Sequence, residues 1–338
     1  MPLPPLAALV PSPVYGALAA WHRANASSAG RVAVAYSGGA DSTALLVEQA
    51  RWTVVHGGPN LTPLWALHVH HGLQDAADAF VDHCRATCAE MSQQVQTRLC
   101  VAHARVQRTA GASIEAQARE ARYDALAGLA RENLIDTVLL AQHADDQAET
   151  LLIALGRGAG MAGLAGMAPT FCHGGVRFVR PMLDVAAPAV RHWLINAQLP
   201  FLDDPSNRDE RHTRNRLRHR VMPVLERALP DFRATFARTA RLAHQAQQLL
   251  DELAVEDLGR VGDPPAIRAL QGLSPDRQAN LLRCWLKRRH AAIGSEAQML
   301  ALVGVVRRCM TRGHGIHIKV GQGYVERDGE RLTYRPFL

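Results

Sequence analysis

Short apolar runs alternate with helical periodicity from residue 31 to about residue 200. Runs at 32–36, 64–69, 95–101, 137–142 and 178–181 predict strands, and the stretches near 43–51, 75–91, 113–133 and 145–155 predict helices. Strands that are apolar at nearly every position are covered on both faces, and helices between them supply the crossovers of a parallel sheet. The expected fold class is therefore α/β, a doubly wound and mainly parallel sheet. In such folds ligands bind beyond the carboxyl ends of the strands. The segments that follow the first, second and fourth strands, at 37–42, 68–73 and 143–146, are predicted to converge there.

Past residue 200 the pattern changes. Residues 201–208 are polar and turn-rich, an arginine- and histidine-rich run follows, and helical periodicity then dominates at 223–258, 275–290 and 295–310. Ser274 before Pro275 reads as an N-cap with proline at the first helical position. The tail alternates at 316–320, 324–327 and 331–334, which predicts a small hairpin or meander. A chain of 338 residues is long for one core. The reading is one domain over 1–220 and a mainly helical second domain over 221–338.

Net charge changes that picture modestly. It is +7, nearly all of the positive charge being arginine, which suits a polyanionic partner. Six cysteines are scattered without a Cys-x-x-Cys pair, which argues against a zinc site, an iron–sulfur cluster or a disulfide framework and fits a reducing cytoplasm. No apolar run reaches the length of a membrane span, and the first residues lack the pattern of a signal peptide. The expectation is a soluble, cytoplasmic protein with no membrane partner.

The chemistry is concentrated in a few segments. Ser37, Gly38, Gly39, Ala40, Asp41 and Ser42 lie between a strand and a helix, where a tight glycine turn aims backbone N–H groups and a helix N-terminus at an anion. Asp41 fits beside phosphate if a divalent cation lies between them; an ordinary βα turn is the bland alternative. The six residues resemble the pyrophosphate loop of the N-type ATP pyrophosphatases, which cleave ATP between its α- and β-phosphates to adenylate a substrate. After the fourth strand come His143, Asp146 and Glu149, the two carboxylates sharing a helix face. They can bind a metal, act as acid and base, hold a cation, or simply suit a helix N-terminus. Glu115, Arg119 and Arg122 share another face, positioned either for a phosphate or for a solvated salt bridge. Five glycines within 156–166 read as a mobile loop, and six arginines within 208–220 as a basic linker or a surface that tracks RNA phosphates.

Taken together, these segments resemble the tRNA(Ile)-lysidine synthase family. The matching elements are residues 37–42, 68–73, 115–123, 143–150, 155–160, 163–167, 180–183, 204–207 and 214–218, in order over more than half of the chain. The resemblance implies ATP-dependent ligation of free L-lysine to C2 of the wobble cytidine of tRNA(Ile) with anticodon CAU, through an O2-adenylated base, with release of AMP and pyrophosphate. It implies ATP on residues 37–42, Mg²⁺ on Asp41, and lysine on His143, Asp146 and Glu149. Arg119 or Arg122 would stabilise adenylyl transfer, and Arg157, Arg208, Arg214, Asn215, Arg216 and Arg218 would meet tRNA. A homodimer is suggested by the resemblance alone. Gln142 departs from the family, standing where a histidine is usual, so that position cannot titrate. The rival readings are a tRNA-thiolating enzyme of the same superfamily, a small-molecule ligase, and a non-catalytic nucleotide- or RNA-binding module.

Overall fold

Side chains alternate across a pleated strand, so a run such as 64–69 can be apolar at nearly every position only if helices cover both faces of its sheet. The computed structural model describes residues 3–26, 30–56, 63–70, 77–104, 114–311 and 313–337, and it shows this arrangement. Six strands, β1 (Val32–Ala35), β2 (Leu64–His70), β3 (Thr97–His103), β4 (Thr137–Leu139), β5 (Thr170–His173) and β6 (Val176–Val179), form one sheet in the order β3-β2-β1-β4-β6-β5. All neighbours pair in parallel except β5, which runs antiparallel to β6 at the edge. Val34 faces Ala66 on one side and Leu139 on the other. The chain therefore steps outward from β1 to β3 and then returns to the far side of β1 to make β4. That reversal opens the crevice at which doubly wound sheets bind ligands.

The helices of this region are α1 (Pro13–Ala24), α2 (Ala40–His56), α3 (Ala77–Met91), α4 (Ile114–Glu132), α5 (Ala144–Gly156), α6 (Met161–Leu164), α7 (Ala187–Asn196), α8 (Thr213–Arg216) and α9 (Met222–Ala228). One core cluster joins Val34, Ala66 and Leu139 to Leu45 and Leu46 of α2, Cys84 and Cys88 of α3, and Trp193 of α7. A second, on the opposite sheet face, joins Ala33, Leu67, Val138 and Phe178 to Tyr123 and Leu126 of α4. Helix α2 is buried from Ser42 through Arg51 because the sheet, α1 and α7 enclose it. Its start, which carries the serine–glycine turn, is thereby fixed.

Differences from the sequence reading are local. The third strand begins at Thr97 rather than 95, since Val95 N–H still bonds back to Met91 in the turn that ends α3. Strand β5 and helices α1 and α7 had no strong periodic signal. β5 joins β6 through Gly174 and Gly175, both at positive φ, as a two-residue hairpin turn demands. The predicted helix at 223–258 is two helices, α9 and α10 (Phe232–Val261). The break falls at Leu229, whose φ of −140° leaves helical space just before Pro230, as the residue ahead of a proline tends to do. The glycine-rich segment 156–166 is partly helical, and Gln147 ties its end down through Met167 N (2.8 Å) and Met167 O (3.1 Å).

The chain divides into two compact units, Met1–Leu242 and Ala243–Leu338. Residues 221–242 thus group with the first unit. In the second, the end of α10, then α11 (Ile267–Gln271), α12 (Pro275–His290) and α13 (Glu296–Arg308), precede a meander of β7 (His317–Val320), β8 (Gly323–Asp328) and β9 (Arg331–Pro336). Trp285, Leu281, Leu302, Val306, Val320, Val325 and Leu332 make its core. Ser274 caps α12 as its position beside Pro275 predicts, accepting from Arg277 N at 3.4 Å. Among the described residues no helix is long and apolar enough to cross a membrane.

Candidate active site

β1 gives way at Tyr36 to the turn that starts α2. Gly38 sits at φ +85°, and a Cβ there would lie 3.2 Å from the His83 ring and 3.3 Å from Cys84 Sγ, so both the conformation and the space call for glycine. Ser42 Oγ donates to Gly39 O at 3.0 Å, accepts from Ser37 N at 3.2 Å and lies 3.0 Å from Ser37 Oγ. The two serines thus brace the turn, while the first amides of α2 lack intrahelical acceptors and form an anion-binding end. His68, buried at the end of β2, donates from Nδ1 to Tyr36 O at 2.9 Å. Burial holds its pKa below the ordinary value. Residues 71–73 of the 68–73 segment lie outside the described residues.

From the end of β4 the chain enters α5 through His143, which caps the helix. Its Nδ1 accepts from Asp146 N at 3.3 Å, and Asp146 Oδ2 accepts from His143 N at 3.2 Å, a capping box built on histidine. His143 Nε2 stands 3.4 Å from Asp41 Oδ2 and 3.5 Å from Asp146 Oδ2. Burial pushes the imidazole pKa down, but Asp146, Asp41 and Asp145 outweigh it and hold it up to about 9. One buried imidazole therefore joins the serine–glycine turn to the start of α5.

One turn further along α5, Glu149 is fully buried. Arg218 reaches in from a π-helical stretch, Leu217–Val221, placing Nε and Nη2 each 2.8 Å from Glu149 Oε1 and Nη2 3.3 Å from Asp146 Oδ1. Glu149 Oε2 is buried and, among the described residues, has no hydrogen-bond partner. Burial pushes the Glu149 carboxyl up, and Arg218 pulls it partly back. Asp145, by contrast, is structural: its Oδ1 accepts from Arg233 Nε at 2.6 Å and its Oδ2 from Ala187 N at 2.9 Å.

A second charged group lies beside the first. Arg180 Nε donates to Gln142 Oε1 at 3.1 Å, Nη1 to Ala168 O at 2.6 Å and Nη2 to the Tyr123 hydroxyl at 3.2 Å. Arg119 and Arg122 lie 5.6 and 5.7 Å from the centre of the Tyr123 ring. Arg214 Nη2 comes within 3.4 Å of Thr150 Oγ1 on α5. Burial lowers the Arg122 pKa, and the guanidinium groups of Arg119 and Arg214 lower it further. Burial raises that of Tyr123, but Arg180, Arg119 and Arg122 outweigh it, so the net shift is downward. The Glu115 side chain lies outside the described residues. Among the described ones no carboxylate pairs with Arg119, Arg122 or Arg180, which is the electrostatics of an anion site.

Residues expected to meet RNA divide in two. Arg157, Arg208 and Arg216 are exposed, although Arg216 is oriented by Glu210 O and Arg211 O, each at 2.9 Å. Asn215 and Arg218 are engaged internally instead. Asn215, buried, donates to Ser206 O (3.0 Å) and Asp209 O (2.9 Å), holding the turn that Asp204 caps, and Arg218 is spent on the acid pair. Arg180, Tyr123 and Gln142 received no role from sequence reasoning, because their contacts join separate elements. Gln142 shows what its amide does: it accepts from Arg180, a task that needs no titration.

Residues 17–225 match the PP-loop domain model, and residues 266–333 match the TilS substrate binding domain. The tRNA(Ile)-lysidine synthase of Polaromonas naphthalenivorans is 49% identical over 91% of this chain and 90% of its own length. The chain belongs to the tRNA(Ile)-lysidine synthase family. Another member, from Bordetella parapertussis, is 38% identical over 94% of this chain and 92% of its own. The one from Escherichia coli O157:H7 is 40% identical over 80% of this chain and 62% of its own, so family members differ in length. Among solved structures, the U34-tRNA thiolase NcsA of Methanococcus maripaludis superposes with a TM-score of 0.53 at 16% identity, over 64% of this chain and 72% of that one. That likeness is one of fold. The family's PP-loop domain makes the chain an ATP-using ligase of tRNA modification.

Proposed function

We propose that this chain joins the ε-amino group of free L-lysine to C2 of the wobble cytidine in tRNA(Ile) bearing the CAU anticodon. The single observation that carries this reading is His143, which touches Asp41 of the serine–glycine turn and Asp146 of the acid pair at once. A nucleotide held by the turn and a cation held by the pair would meet at that residue.

The cytosine 2-oxygen attacks the α-phosphorus of ATP, and pyrophosphate leaves. The amides of residues 38–42 receive the pyrophosphate end, and Arg119 or Arg122 offsets charge on the transferring phosphoryl group. Asp41 is a single, part-exposed carboxylate within the turn, 3.4 Å from His143 Nε2. That donor set fits Mg²⁺ only if phosphate oxygens and water complete the shell; an ion so held would neutralise triphosphate charge. Lysine then attacks C2 and AMP leaves, an expulsion that the bare oxygen could not undergo at a useful rate. Asp146 and Glu149 hold the ammonium groups. Glu149, whose affinity for a proton is raised by burial, is the better acceptor for the one the amine must lose. Arg157, Arg208, Arg214 and Arg216 contact RNA phosphates, so binding weakens steeply as salt rises. The reading includes a cytoplasmic setting and leaves room for a homodimer.

Thiolation is disfavoured because the sequence holds no Cys-x-x-Cys pair. Cys84 and Cys88 are buried in the core, and burial pushes both thiols up to about 12, which leaves them inert. An assay with ATP, labelled lysine and a tRNA(Ile) transcript tests the proposal. Label entering RNA supports it; dependence on a sulfur donor, or AMP release without tRNA, contradicts it.

A further inference from the structure

The two carboxylates assigned to lysine already hold a cation that belongs to the chain. We propose that Arg218 is an internal competitor for the lysine site, a specificity-determining residue that occupies the acid pair until free lysine replaces it. This rests on the reading of Asp146 and Glu149 as the lysine-binding pair.

Three observations carry the inference. The guanidinium engages the pair incompletely, since two of its nitrogens converge on Glu149 Oε1 while Oε2 remains buried and unpartnered. A carboxylate–arginine pair built for permanence would use both oxygens side by side. An ammonium, with three donors, can satisfy the oxygen that Arg218 leaves unmet. Exposure is also unequal: the Arg218 side chain is 36% exposed and that of Glu149 0%. Arg218 therefore enters from the open side and can withdraw to it, while the carboxylate cannot follow. Finally, Arg218 is carried on the π-helical stretch Leu217–Val221, a widened turn of the kind that recurs at functional sites. Its neighbours Arg216 and Arg220 are exposed and held outside by Glu210 and by backbone carbonyls.

Competition of this kind selects by charge. A neutral amino acid that displaced Arg218 would leave the buried Glu149 carboxylate without a cation, which is strongly unfavourable. Lysine restores the charge it removes. The cost is a weaker apparent affinity, because only the fraction of molecules with Arg218 withdrawn can bind.

The test is calorimetric titration of the full chain with L-lysine and with norleucine, which has the lysine skeleton without the ε-amine. Arg218→Ala should bind lysine at least tenfold tighter than the unaltered protein and should admit norleucine, which the unaltered protein excludes. A variant merely damaged would bind lysine more weakly. Equal or weaker lysine binding by Arg218→Ala overturns the proposal. If that variant does not fold, Arg218→Lys decides by the same criterion, since it keeps a cation but loses the fork; its lysine affinity should exceed that of the unaltered protein. Incorporation of labelled lysine into tRNA by the unaltered protein separates the two readings. Incorporation without tighter binding by the variant removes the competitor alone. No incorporation and no lysine binding removes the site assignment as well.

Discussion

Two charged groups border α5, and the protein treats them in opposite ways. Asp146 and Glu149 are neutralised from within by Arg218, and Asp146 also lies beside His143. Arg119, Arg122 and Arg180 are gathered around Tyr123 with no described carboxylate among them. Like charges repel, most strongly at the buried Arg180, so a group of arginines with no described acid among them is costly until an anion arrives. A pair of acids with an internal cation is already settled and can exchange that cation for another. The arginine group suits a phosphate that comes and goes with each turnover. The acid pair suits a cationic substrate whose entry must be contested.

The largest expected effect breaks the arginine side. Arg122→Ala should lower the rate of ATP-dependent adenylation of tRNA by about a hundredfold, the usual loss when one preorganised charge donor is removed; single-turnover measurement of AMP transfer checks this. Next comes the acid side. Asp146→Asn should raise the KM for lysine about tenfold and leave that for ATP within about twofold, since a hydrogen bond to a charged group contributes about 1.5–3 kcal/mol. An unchanged lysine KM would refute the assignment.

A smaller effect follows from His143, the residue that joins the two sides. Its folded pKa of about 9 lies above the ordinary 6.5. The stability it contributes is thus fully present below pH 6.5 and is lost as pH rises through 9. The Tm difference between the unaltered protein and His143→Gln, followed from pH 6 to 10, should be widest at the acid end and shrink across that window. The smallest effect concerns thiols: at pH 8 the exposed Cys172 should react with a maleimide while Cys84 and Cys88 do not, until the protein is unfolded.

Much of this arrangement is legible in the sequence, for identifiable reasons. The strand–turn–helix setting of residues 32–45 shows itself because apolar runs and glycines are local signals. The 143–149 segment does so because the i, i+3 spacing fixes which carboxylates share a face. Convergence of the strand ends follows from the doubly wound pattern alone. What the sequence conceals is pairing at long range. Arg218 lies 69 residues from Glu149, and Arg180 lies 57 from Tyr123; nothing in either neighbourhood marks the partner. The arginine-rich segment reads as a uniform basic surface, yet Asn215 braces a turn within it and Arg218 points inward. Edge strand β5 was hidden for a related reason: its burial alternates in only four residues, too few for a period to emerge.

The division of labour between these two groups is tested most directly by following [α-³²P]ATP label into tRNA in a single turnover, with lysine present, for Asp146→Asn and Arg122→Ala side by side. The account predicts that the Asp146 variant accumulates labelled, adenylated RNA because the first step survives and the second stalls, while the Arg122 variant transfers little label at all. Equal loss of labelling in both variants would contradict it.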